Sequence, residues 1–199
     1  MQWLIEVSYK PDFFDVLGNT TKKDIEDLGI SGIRKVKTAQ LYHIEGKITE
    51  NELKLLCEEL LTDKITQQYK IRASCIAHSD GHRSEVSPQM GRMHRASTPY
   101  KTNDERRTLV PASSFACAKL RGTNDEQVFI VQVWYKKGVT DAVADTVKKG
   151  ALDIGIKGID SAKTGYEYTI TGDISCENIE KICKGLLANK VVQEYVIQK

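Results

Sequence analysis

The side chains best suited to bind a metal lie near the middle of the sequence. Cys75, His78 and His82 follow one another with a spacing like that of zinc ligands, and His94 lies further on. A structural zinc site needs four ligands, and no second nearby cysteine completes the set. We therefore interpret these residues as members of a polar segment and predict no metal site.

The same segment is mildly basic, and its cations could bind a phosphate or an acidic protein surface. We favour the simpler interpretation that charge keeps the segment in water. The sequence contains no P-loop and no Ser/His/Asp or Cys/His arrangement, so we predict no active site in this chain. Among the cations of the segment are Arg83, Arg92, Arg95, Arg106 and Arg107.

Two glycine-containing loops, 29–32 and 155–158, could be mistaken for phosphate cradles. They follow predicted helices and precede predicted strands, whereas a cradle needs the opposite order so that a helix N-terminus faces the phosphate. We interpret both as helix ends. Asp15 and Asp141 recur just before the first helix of each half, and an N-cap role explains them without catalysis.

An internal repeat determines the architecture. Residues 3–71 align with residues 129–197 without a gap, at an offset of 126, and about 25 of roughly 69 pairs are identical. The chain is therefore two copies of one small module. We predict module 1 at residues 1–73, a polar linker at 74–127 and module 2 at 128–199. We expect part of this long linker to be disordered and part to pack against an edge strand.

Each module reads as β-α-β-β-α-β, the ferredoxin-like order within the α+β class. Trp3, Ile5, Val7 and Tyr9 alternate as in a half-buried strand. Two short strands are expected near 33–38 and 41–46, with a turn at 39–40 in module 1 and at 165–166 in module 2. A second helix begins with the capping box Thr49-x-x-Glu52 and carries an apolar face, and a strand near 66–71 follows. Its apolar positions are Leu53, Leu56, Cys57, Leu60 and Leu61.

We expect four antiparallel strands per module, with both helices on one face. The uncovered faces of the two copies would then stack as a pseudo-twofold pair. Trp134 and Tyr166 are aromatic in the second copy only, which favours an interface over a shared core position. With a formal net charge of +2, no apolar run long enough to span a bilayer and no signal-like N-terminus, we expect a cytoplasmic protein that binds neither membrane nor nucleic acid.

The second copy contains three distinctive segments: Lys137-Gly138-Val139-Thr140-Asp141, Lys163-Thr164-Gly165-Tyr166, and Leu186-Leu187-Ala188-Asn189 followed by Val192-Gln193-Glu194-Tyr195. Through these segments it resembles the PurS subunit family of phosphoribosylformylglycinamidine synthase. Departures are Lys64 and Lys190 in place of a proline, and Ala144 in place of a glycine. Most relatives are single modules that dimerise, so this chain resembles a fused dimer.

The resemblance implies a non-catalytic subunit of an ATP- and glutamine-dependent ligase in purine biosynthesis. Its expected partners are a PurL-type synthetase and a PurQ-type glutaminase, between which it would form a bridge and aid ammonia transfer; a homodimer is a further expectation. ATP and magnesium would belong to the synthetase, so we expect no cofactor on this chain. The candidate partner-interface residues are Trp134, Lys136, Asp141, Lys163 and Tyr166.

Another class of protein fits the same pattern. Tandem β-α-β-β-α-β modules also occur as ACT-type regulatory sensors, which bind amino acids between paired copies, and Gly29 and Gly155 lie near where such modules place their loops. RNA binding on the sheet would require exposed aromatic residues in an RNP pattern, and none is present.

Overall fold

The computed structural model describes residues 1–73 and 127–198. The second helix of each module continues into one π-helical turn, at Cys57–Leu61 and Cys183–Leu187. Module 1 contains β1 (Gln2–Tyr9), α1 (Val16–Asp27), β2 (Ile33–Gly46), α2 (Glu50–Leu56) and β3 (Gln67–Ala73). Module 2 contains β4 (Gln127–Tyr135), α3 (Ala142–Asp153), β5 (Ile159–Gly172), α4 (Cys176–Ile182) and β6 (Gln193–Gln198).

The six strands form one antiparallel sheet in the order β3-β1-β2-β5-β4-β6. The α+β class and the paired modules are confirmed, but the predicted split of the middle strand is wrong. β2 and β5 are each continuous over 14 residues, and the expected turns at 39–40 and 165–166 are extended. The reason is that Ala39 pairs with Glu167, and Gln40 pairs with Tyr166. The second copy supplies the ladder partners that a hairpin would otherwise provide.

The two modules therefore join edge to edge through β2 and β5, and the predicted stacking of their open faces is wrong. Gln40 lies opposite Tyr166, which is its own counterpart at the repeat offset of 126. A pseudo-twofold axis thus passes between these two residues. The predicted pseudo-twofold pair is present, with one sheet shared between the copies.

The helices cover one face of the sheet, and their apolar side chains are exchanged between modules. One core combines Ile5, Ile44 and Leu53 of module 1 with Val147 and Ala151 from α3 of module 2. The other combines residues of β4, β5 and α4 with Ile25 from α1, and Ile25 is fully buried. Because each core needs a helix from the other copy, folding of the two modules is coupled.

Local sequence signals account for the helix ends. The Thr49 hydroxyl accepts the Glu52 N–H while the Glu52 carboxylate accepts the Thr49 N–H, as predicted for a capping box. Gly29 and Gly155 follow α1 and α3 with φ of 77° and 89°, the left-handed conformation that glycine adopts without strain. Both glycine loops are helix ends, as the order of elements predicts.

The apolar face predicted for the second helix is correct except at Leu60. Leu53, Leu56 and Cys57 are fully buried, whereas Leu60 is 37% exposed. The π-helical turn redirects Leu60 toward α3, where its methyl groups lie over Gly150.

The predicted linker, including its cysteine, histidine and arginine residues, lies outside the described residues apart from Gln127. Gln127 begins β4, so the described part of module 2 starts one residue earlier than predicted. Within residues 1–73 and 127–198, none of the helices is long and apolar enough to span a membrane.

Candidate functional site

Loop L1 (residues 10–15) and loop L2 (residues 136–141) connect the first strand of each module to its helix, and each ends in a carboxylate clamp. Asp15 accepts hydrogen bonds from the Gly18 N–H at 2.7 Å and from the Thr38 N–H at 2.6 Å. The Thr38 hydroxyl also donates to Asp15, at 2.9 Å. The clamp caps α1 and holds L1 against β2.

The same clamp recurs at Asp141. Its carboxylate accepts the Ala144 N–H at 2.9 Å, the Thr164 N–H at 2.7 Å and the Thr164 hydroxyl at 2.9 Å. The predicted N-cap role of both aspartates is therefore confirmed, and the bonds to the strand were not predicted. Because Asp141 is engaged within the chain, its contribution to an interface would be to position L2.

The clamp brings four of the five interface candidates to one place. Thr164 lies next to Lys163, and Trp134 pairs with Gly165 across β4 and β5. Lys136 begins L2, and its ammonium group donates to the Lys190 carbonyl. The surface around L2 therefore contains Trp134, Lys136 and Lys163, and Asp141 is held next to them by its hydrogen bonds.

Tyr166, the fifth candidate, lies on the opposite face of the sheet. It shares the helix-bearing face with Tyr168, whose ring centroid is 6.5 Å from its own, and it is 39% exposed on the pseudo-twofold axis. Nearby Tyr42 is buried, and its pKa is raised to about 12, first by burial and then by the proximity of Tyr166. Tyr166 thus marks a surface between the two helix pairs, separate from the L2 surface.

Trp134 occupies space that is open in module 1. A Cβ on Gly165 would lie 2.8 Å from the Trp134 ring, so the indole rests directly on this glycine. The repeat counterparts of the pair are Ser8 and Ala39, which also lie opposite each other, in β1 and β2. Replacing an indole by a hydroxymethyl group leaves a hollow on the sheet of module 1.

This hollow is a groove with a volume of about 610 Å³, called groove G1 below. L1 forms one wall, and Ser8 and Ala39 contribute to the lining. G1 lies on the face opposite the helices, because its β2 lysines, Lys35 and Lys37, alternate with the buried Val36. Its basic lining residues are Lys10, Lys22, Arg34, Lys35, Lys37 and Lys70.

The described residues offer little for covalent or metal chemistry. No group of three or more His, Cys, Asp and Glu within residues 1–73 and 127–198 could hold a metal ion. The thiols of Cys57 and Cys183 are buried, and desolvation raises the pKa of each to about 12. A thiol with so high a pKa is a poor nucleophile, so these cysteines act as small apolar core residues.

The fold and these surfaces define a class of protein: a fused pseudo-dimer of small α+β modules that presents two loops and a groove on one continuous sheet. Comparison with known families identifies the family. The PurS family, described as phosphoribosylformylglycinamidine (FGAM) synthase, matches residues 2–74 and 128–199, which covers both modules. The chain therefore belongs to the PurS family, as the sequence resemblance indicates. No curated protein matched the chain.

The residues of the L2 surface were candidates from the sequence alone, whereas groove G1 became apparent only in the structure. The relevant signal is visible in the repeat alignment, where Ser8 aligns with Trp134 and Ala39 with Gly165. This difference between the copies indicates a groove only once β1 and β2 are known to pair with Ser8 opposite Ala39.

Proposed function

We propose that this chain is the non-catalytic bridging subunit of an FGAM synthase complex, located in the cytoplasm. It joins a PurL-type synthetase to a PurQ-type glutaminase and thereby helps ammonia pass from one to the other. ATP and magnesium are bound by the synthetase, and this chain contributes surface and shape. Membership of the PurS family supports the general assignment.

The observation that best supports a bridge is the continuous sheet with a pseudo-twofold axis at Gln40 and Tyr166. This axis places L1 and L2 beside β2 and β5 on opposite sides of the β2–β5 junction. The exchanged cores couple the modules, so the two loops are held in a fixed relation. A bridging subunit needs two such separate surfaces on one rigid body.

We assign the synthetase contact to the L2 surface. Lys136 begins L2, and Lys163 precedes Thr164, whose backbone N–H donates to Asp141. Trp134, which pairs with Gly165, supplies an aromatic ring of the kind enriched at interfaces. The double variant K136E/K163E should weaken co-elution with the synthetase, because charge reversal replaces attraction by repulsion at the contact.

The matched control is K149E/K157E, which reverses two exposed lysines of module 2 away from L2. Melting curves for both variants would verify folding, because Lys136 also donates to the Lys190 carbonyl. Co-elution that is equally strong for K136E/K163E and the control would disprove the assignment of the contact.

One observation favours an amino-acid sensor as a second candidate function. A cavity of about 390 Å³ lies between the Gly29 loop of module 1 and α4 of module 2, and Asn178 and Lys181 contribute to its lining. Lys181 could pair with the carboxylate of an amino acid. A saturable rise in melting temperature with one amino acid, lost in K181A, would support this function. No shift with any of the twenty would exclude it.

A further inference from the structure

Groove G1 differs in its lining from the corresponding surface of module 2, which suggests that the two ends of the pseudo-dimer bind different chemistry. Ser8 leaves the groove open where Trp134 fills the corresponding space. Three of the six cations have no basic counterpart in module 2. At the repeat offset, Arg34, Lys35 and Lys70 correspond to Asp160, Ser161 and Val196. Duplicated modules that bound identical partners would not need such a difference.

Three of the six basic residues of G1 are available for a ligand. Lys35, Lys37 and Lys70 are exposed, and no carboxylate of residues 1–73 or 127–198 forms an ion pair with them. Lys70 on β3 is level with Leu41 on β2, since both pair with Glu6, and Lys37 lies four residues further along β2. Two strand spacings across and four residues along place the two lysine backbones about 16 Å apart. Such a separation suits several negative charges spread along a chain rather than one compact anion.

The acidic residues that line G1 are already bonded within the chain. Glu6 forms an ion pair with Arg72 at 2.5 Å, and Glu167 accepts a hydrogen bond from the Gln132 amide at 2.8 Å. Asp15 is held in its clamp. Six basic residues outnumber these three carboxylates, so the groove presents excess positive charge to its contents.

L1 adds an apolar rim to this basic groove. Phe13 is 41% exposed and Phe14 is 67% exposed, and their counterparts in module 2 are Val139 and Thr140. Exposed aromatic rings are enriched at protein-docking surfaces, and the unpaired lysines beside them would favour a partner of negative charge. The groove is also open and shallow, with its floor formed by a sheet, which suits a polypeptide better than a small molecule.

We propose that groove G1 binds an acidic segment of a protein partner, with Phe13 and Phe14 as apolar contacts. The chain's own linker does not complement the groove, since residues 74–126 carry eight lysines and arginines against six acidic residues. A second copy of the chain is likewise unsuited, because its formal net charge is +2. The partner is thus a different, acidic protein surface.

The proposal can be tested without knowing the partner, using the full chain and short poly-L-glutamate as the probe. We expect salt-sensitive binding that weakens by about tenfold or more in K35E/K37E/K70E, because three favourable charge pairs become repulsive. The charge-matched control K23E/K47E/K157E reverses exposed lysines outside the groove and should weaken binding much less.

A second variant fills the groove without changing its charge. S8W/A39G copies the Trp134–Gly165 pair of module 2 into module 1, so the fold already accommodates this arrangement. It should also lose poly-L-glutamate binding. Equal losses in the groove and control triples would overturn the proposal, as would an absence of binding by the unaltered chain. Stronger, groove-dependent binding of a single-stranded oligonucleotide would assign the groove to nucleic acid instead.

The identity of the partner rests on the proposed function, whereas the poly-L-glutamate result does not. Synthetase and glutaminase should therefore be titrated separately with the same variants. Loss of affinity for one of them in K35E/K37E/K70E identifies the owner of the acidic segment. If both bind the variant normally, the groove proposal fails and the bridging function stands; if neither binds the unaltered chain, the bridging function fails.

Discussion

Removing the Asp15 carboxylate should destabilise the protein far more than removal of an ordinary surface charge. In D15A, α1 loses its N-cap, which costs about 1 kcal/mol. The buried Thr38 also loses two bonds to a charged acceptor, each contributing about 1.5 kcal/mol at the lower end of the range. The sum is about 4 kcal/mol, and because Asp15 is only half-buried we expect about 3 kcal/mol.

The assay is urea unfolding followed by circular dichroism, with the free energy of unfolding obtained by linear extrapolation. D12A removes a nearby exposed carboxylate and serves as the control. The single variants D15A and T38V and the double variant D15A/T38V form a mutant cycle. The cycle isolates the bond between the Asp15 carboxylate and the Thr38 hydroxyl.

The hydrogen bonds of Asp15 predict different losses of unfolding free energy for the two variants. D15A should lose about 3 kcal/mol while D12A stays within about 0.5 kcal/mol of the unaltered chain. A loss in D15A below about 1 kcal/mol, with an unchanged denaturant slope, would show that capping alone matters and that the bonds to β2 contribute nothing.

Three further predictions concern the core and the sheet. I25A should destabilise the protein by about 2–5 kcal/mol in urea unfolding, because it leaves a cavity between α1 and module 2; a loss below about 1 kcal/mol would contradict the exchanged core. G165A should cost about 1–3 kcal/mol and shift tryptophan fluorescence, since its Cβ would lie 2.5 Å from the Val133 carbonyl; an unchanged spectrum would argue against the close packing of Trp134. The pKa of Cys57 and of Cys183 is raised from 9.0 to about 12, so the unfolded chain loses these protons first, and the free energy of unfolding should fall as pH rises above 9.0. A flat profile above that pH would show that the thiols are not desolvated.

Several features of the fold were predictable because they rest on local signals. The repeat predicts the paired modules, and alternation in β1 predicts its buried face through Ile5 and Val7. The capping box at Thr49 and the N-cap at Asp15 follow from residue type and position, since hydroxyl and carboxylate groups satisfy free N–H groups at helix starts.

Other features were not predictable because they depend on contacts between the copies. Nothing in Ala39-Gln40 distinguishes a turn from an extended strand until β5 provides its hydrogen-bond partners. The apolar character of Ile25 predicts burial but not in which module. The candidate surfaces also depend on the fold. Lys163 and Asp141 are far apart in sequence, and the hydrogen bonds that Thr164 donates to Asp141 bring them together.

The proposed function is a bridge between a synthetase and a glutaminase. The most direct measurement is glutamine-dependent ADP formation by the cognate synthetase and glutaminase, with and without this chain, together with size-exclusion chromatography of the mixture. If the chain is a bridge, all three proteins elute together. Glutamine-dependent activity then requires this chain, while ammonia-dependent activity does not. Separate elution with activity indifferent to the chain would contradict the account.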